Sequence, residues 1–205
     1  MFEAPLAHTD RIASANYSAR SSPLTALAFD LCREENGYHS ENRELSVLYT
    51  PGHASHHVAL QDSRTGAVFT GDAVGVHIPD LDILRPASPP PEFDVELAIQ
   101  SIRLIESHAR GALLFSHFGP VRQVEQTCRL AIERIREWSE IVREAVQHTQ
   151  EDREIEMRLR EATAQEYQGL DTSDEDRFEI LSGFRMNAAG LARYWRKKAE
   201  AGQPS

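Results

Sequence analysis

The feature that most constrains this chain is a change of hydrophobic period close to residue 120. Before it, apolar residues come in short runs broken by glycine and proline. After it, they recur at roughly the three-to-four spacing of an amphipathic helix. Such a chain pairs strands first and lays helices beside them afterwards. The expected class is therefore α/β (α+β). Residues 1–43 read as a helical or irregular segment, 44–120 as a small α/β unit, and 121–205 as an α-helical C-terminal region.

Within the first part, Glu44–Thr50 (ELSVLYT) alternates, is rich in β-formers and stops at Pro51-Gly52. His56–Asp62 follows and ends in a polar Ser-Arg-Thr-Gly turn, and Ala67–Gly71 is a third short strand, so a meander is expected. Val74–Pro91 reads as a long proline-rich loop of the kind that lines a binding site, with Leu84, Arg85 and Pro89–Pro91 either one wall of the substrate pocket in a complete homologue or a rigid surface connector. Phe93–Ala109 has helical spacing with Asp94 as N-cap. Gly111–Pro120 reads as a buried strand that ends at Ser116-His117.

The second part opens with Val121, Val124, Cys128, Ala131, Ile135, Trp138, Val142 and Ala145 on one heptad seam. The seam suits a long helix packed on its own domain or on the next helix. Its sharper reading is a homodimer through residues 121–149. Glu151–Tyr167 reads as a second helix, Thr172-Ser173-Asp174-Glu175 as a capping box that opens a third, and Asn187–Lys198 as a closing helix with cations in its last turn.

Composition narrows the function. A net charge of -10 argues against general nucleic-acid binding and against binding to anionic membrane surfaces. No apolar run reaches the roughly 20 residues of a membrane span. Cys32 and Cys128 lie far apart and form no CxxC pair, as in a reduced cytosolic protein. The stretch MFEAPLAHTDRIA has neither a basic start nor an apolar run, so no signal peptide is expected and the cytoplasm is the expected location.

Chemistry concentrates at strand ends. His53 follows the first strand in Pro-Gly-His, Asp72 follows the third in Thr-Gly-Asp, and His117 follows the last in Ser-His-Phe-Gly. Imidazole nitrogen and carboxylate oxygen are zinc ligands at about 2.0–2.2 Å, and strand ends on one sheet edge bring such groups together from distant positions. His56 reads as a solvent-facing or hydrogen-bonded strand residue, and His77 as a loop histidine rather than one that reaches the site. His8, His39, His108 and His148 read as surface residues.

Three segments, TPGHASHH, FTGDAVG and LLFSHFGP, resemble in order and spacing the later motifs of the metallo-β-lactamase-fold hydrolases, a superfamily that includes glyoxalase II-like and lactonase-like enzymes. The resemblance covers roughly residues 44–120. It implies the C-terminal half of an αββα sandwich and one or two divalent metals, Zn2+ foremost. By resemblance His53, Asp72 and His117 are metal ligands and Asp72 bridges two ions. Asp72 and His57 are then the catalytic candidates, with His57 beside the metals. The implied reaction is hydrolysis of a small ester, thioester or lactone by metal-bound hydroxide, so the expected partner is a small-molecule substrate.

One departure is plain. The superfamily motif His-x-His-x-Asp-His does not occur, and its nearest echo is Ala7-His8-Thr9-Asp10-Arg11. Half a sandwich would leave a sheet face for the C-terminal helices or a second copy to cover. The chain would then be a truncated domain. Three functional readings stand at this point: a working metal-dependent hydrolase, a catalytically impaired remnant of one, and a self-association module built on the C-terminal helices.

Overall fold

The computed structural model describes residues 38–40, 43–117 and 119–202. His8, Asp10 and Cys32 lie outside them, as does the side chain of His39. In chain order the strands are β1 (Tyr38–Ser40), β2 (Arg43–Tyr49), β3 (Val58–Asp62), β4 (Val68–Gly71), β5 (Val76–Ile78), β6 (Ile83–Arg85), β7 (Leu113–Phe115) and β8 (Gly119–Val121). The helices are α1 (Val95–His108), α2 (Val124–His148), α3 (Asp152–Ala162), α4 (Thr172–Ser182) and α5 (Phe184–Glu200).

A six-stranded sheet runs in the order β1-β2-β3-β4-β7-β8. β2, β3 and β4 form the expected antiparallel meander, while β4 and β7 are parallel and joined through α1. The side-chain period of two sorts the sheet into two faces. Leu48, Ala59, Val68, Leu113 and Val121 share one face by register; the last four belong to the main core and half-buried Leu48 packs against it. Leu45, Val47, Leu60, Phe69 and Leu114 share the other. They are half-buried except Phe69, which is exposed.

α1 begins where expected. The Asp94 side chain accepts a hydrogen bond from the Leu97 amide. The heptad seam of α2 is buried against its own chain: Cys128, Ala131, Ile135, Trp138, Val142 and Ala145 lie in the same core as α1, α3 and α5. Packing within the chain thus accounts for the heptad spacing. Trp138 stacks on Phe184 of α5 with ring centroids 5.3 Å apart.

Several expectations change. Tyr38–Ser40 is a strand rather than irregular, paired with the start of β2; three residues are too few to show a period. Val74–Pro91 is not a structureless loop, because β5 and β6 form a hairpin within it. Val121 pairs in β8, and α2 starts three residues later. α4 is capped by Asp171, which accepts from the Asp174 amide, one residue before the expected Thr172.

Of the expected pocket wall, Arg85 lines a cavity beside the C-terminal helices, with Tyr167, Glu179 and Phe184, rather than the edge that carries His53, Asp72 and His117. Leu84 and Arg85 are buried, and the Arg85 guanidinium turns toward the C-terminal helices. It lies 4.3 Å from each of the Tyr167, Phe178 and Phe184 ring centroids. Three aromatic faces and the Glu179 carboxylate at 3.7 Å give the cation a better environment than an open pocket edge. Burial still draws its pKa below the ordinary arginine value.

Candidate metal centre

Two turns at one edge of the sheet build the site. The first, residues 50–57, leaves β2 and returns as β3. The chain that leads into α1 holds it: the Asp94 amide donates to Gly52 O at 2.9 Å, the Ser101 hydroxyl donates to Pro51 O at 2.6 Å, and the Ser55 amide and hydroxyl donate to Glu92. His53 sits at the middle of this turn. Its Nδ1 lies 3.0 Å from the Ala87 carbonyl oxygen. A carbonyl only accepts, so Nδ1 carries the proton and Nε2 keeps its lone pair.

The second turn follows β4 and carries Asp72. Gly71 is required here on two counts. Its φ of 53° is left-handed, and a Cβ would lie 2.4 Å from His57 Nε2. That nitrogen accepts the Asp72 amide at 3.1 Å, while Nδ1 is 2.8 Å from the buried Thr50 hydroxyl. His57 is thus a neutral ring with both nitrogens engaged. Its burial, with His53 next to it, pulls its pKa down to about 4. His57 holds the Asp72 turn in place and presents no free nitrogen to the site.

His53 Nε2 is 3.6 Å from Asp72 Oδ2, and His117 Nε2, in the turn after β7, is 3.8 Å from Asp72 Oδ1. Each imidazole therefore faces a different oxygen of one carboxylate. Two donors about 2.1 Å from a shared tetrahedral ion lie roughly 3.4 Å apart or slightly more. The observed gaps are of that size and too long for hydrogen bonds. Asp72 Oδ1 is also buried without a hydrogen-bond donor, a costly state that a cation would relieve. The donor types, the His53 tautomer and this orphaned oxygen fit divalent cations. The donor count is smaller than in a complete zinc site. Among the described residues, no three His, Cys, Asp or Glu side chains are grouped to hold one ion.

The carboxylate separates two flanks, His53 on one and His117 on the other. His56 is exposed and 3.9 Å from Glu92. His77 lies in β5, 3.7 Å from Asp82, and its ring packs 5.8 Å from Phe115. His108 is half-buried rather than on the open surface, and its Nδ1 is 2.9 Å from the Leu104 carbonyl one helical turn back. His148 is exposed in the last turn of α2. Thr50 and the Ala87 carbonyl were not expected to take part. A backbone carbonyl has no side-chain signature to find.

The meander, the parallel crossover strand and the imidazole and carboxylate groups at one sheet edge define an α/β fold with a candidate metal edge. The sequence agrees: residues 31–117 match the family model of the metallo-beta-lactamase superfamily. The match covers that segment and not the C-terminal helices. The fold resembles a beta-lactamase domain protein from Burkholderia ambifaria, with TM-score 0.53 and 18% identity over 95% of this chain and 50% of that one. It also resembles a metallo-beta-lactamase family protein from Thermus thermophilus, with TM-score 0.51 and 17% identity over 82% of this chain and 48% of that one. The chain thus spans about half the length of the solved structures it matches. No curated protein matches it.

Proposed function

We propose that the protein is a metal-dependent hydrolase of a small ester, thioester or lactone, with Zn2+ or a similar divalent cation held against the Asp72 carboxylate by His53 on one flank or by His117 on the other. The observation that carries this reading is the pair of imidazole nitrogens set on opposite oxygens of one carboxylate at 3.6 and 3.8 Å. A cation bound there would polarise a substrate carbonyl and acidify water. Asp72 serves both flanks and sets their separation. His57 fixes the Asp72 turn through the backbone amide. The Ala87 carbonyl keeps the proton of His53 on Nδ1 and aims Nε2 at the site. No described helix is long and apolar enough to cross a membrane, and Cys128 is a free, buried thiol. Both suit the cytoplasmic setting we propose.

The test is zinc content of the full chain after equilibration and desalting, combined with turnover of a panel of esters, thioesters and lactones. Wild-type protein should retain zinc and hydrolyse at least one substrate class, and Asp72→Ala should lose both. Wild-type protein that retains no zinc would overturn the reading. A second reading, a catalytically impaired relative, is favoured by the donor count. The described residues set one imidazole on each side of the carboxylate, whereas a catalytic zinc commonly has three protein ligands. Retained zinc with hydrolysis no faster than buffer would select it.

A further inference from the structure

The segment Arg85–Ser88 lies between the candidate metal edge and the C-terminal helices, and it is buried throughout. On one side Ala87 presents its carbonyl to His53 Nδ1. On the other, the Ser88 amide donates to Asn187 Oδ1 at 2.7 Å, and the Ser88 hydroxyl donates to the same oxygen at 2.7 Å. Asn187 Nδ2 donates to the Ser182 hydroxyl and to Gly183 O. The Ser182 hydroxyl donates to Pro86 O at 2.7 Å, and Arg85 donates to Ser182 O. Ser88, Ser182 and Asn187 are fully buried. α5 comes so close that a Cβ on Gly190 would lie 1.8 Å from Ser88 O. Only glycine permits that approach.

The Ala87 carbonyl and the Ser88 amide belong to one peptide plane. In a trans peptide they point in opposite directions. Holding the Ser88 N–H on Asn187 therefore aims the Ala87 carbonyl the other way, at His53. Hydrogen bonds in such a chain also polarise one another. From this geometry we propose that Asn187, in the C-terminal helical region, is a positioning residue that sets the tautomer of His53 across a single peptide plane and so leaves Nε2 bare for a cation. The value of this for metal binding rests on the hydrolase reading above. The tautomer itself does not.

Two readouts on the full chain test it. The first is long-range proton–nitrogen NMR of the metal-free protein with labelled histidine, well above the ordinary histidine pKa of about 6.5. His53 is assigned by its loss in His53→Gln. The second is Zn2+ affinity by chelator competition. Wild-type His53 should be a single Nδ1–H tautomer. Asn187→Ala should give a mixture of tautomers and weaken Zn2+ binding about 10- to 100-fold, as loss of such supporting contacts does. Ser88→Ala removes the hydroxyl from the same pocket but keeps the amide on Asn187. It should retain the single tautomer and change affinity less than about threefold, which general loosening of the pocket would not do. A wild-type His53 protonated on Nε2 would overturn the inference even if Asn187→Ala fails to fold. So would an unchanged tautomer in Asn187→Ala. A tautomer shift in protein that binds no zinc would support the positioning role and sink the hydrolase reading alone.

Discussion

The metal edge and the C-terminal helical shell are built on opposite terms. At the edge, His53, Asp72 and His117 are half-buried, stand on turns and leave one carboxylate oxygen without a donor. In the shell, Trp138, Phe178, Phe184, Leu159 and Leu191 are completely covered, and their ring contacts fill space rather than carry chemistry. The contrast teaches that the shell supplies free energy by burial and the edge gives some up to keep polar groups available. Arg85–Ser88 is where the first supports the second.

The largest test of the contrast is Trp138→Ala. Removing a fully buried ring stacked on Phe184 should cost about 3–5 kcal/mol, read by denaturant titration. A loss no larger than those from edge substitutions would break the comparison. Gly71→Ala should come next, at about 1–3 kcal/mol, because it combines a left-handed backbone with a Cβ pressed on His57. It should also reduce zinc uptake, which Trp138→Ala in still-folded protein should not.

Asp62→Asn sharpens the comparison through pH. Hydrogen bonds from Arg43 and Thr65 hold the Asp62 carboxyl well below the usual carboxylate range. A folded-state pKa below the unfolded one stabilises above the unfolded value of about 4 and loses that effect as pH falls through the folded value. The melting-temperature gap between wild type and Asp62→Asn should thus be full at neutral pH and narrow on acidification. A gap that widens in acid would show that the ion pair with Arg43 is not its source. The smallest stability effect is expected for Asp72→Asn, within about 0.5 kcal/mol of wild type in the absence of metal, together with loss of zinc uptake. A large destabilisation there would make Asp72 a structural residue and erase the contrast.

How much could be read in advance follows the same division. The meander, the Asp94 cap and the α2 seam were legible because local periodicity and capping chemistry repeat over many residues. The strand ends bearing His53, Asp72 and His117 were legible too, since glycine turns mark them. The β5–β6 hairpin was not, because its strands are three residues each and sit among prolines. Arg85 misled for a physical reason. In a sequence an arginine in a loop is a surface cation, and only the approach of Tyr167, Phe178 and Phe184 makes it an interior one.

By itself the sequence determined the β2–β3–β4 meander, the helices on either side of β7, the face that α2 buries and the candidate metal donors, all of which depend on neighbours within a few turns of chain. Tertiary structure alone decided that His53 and His117 take opposite oxygens of Asp72, that His57 supports rather than faces the site, and that Asn187 lies behind the Ala87 carbonyl. Those relations join residues up to about a hundred positions apart, and no local pattern encodes a distance between groups that meet only when the core closes.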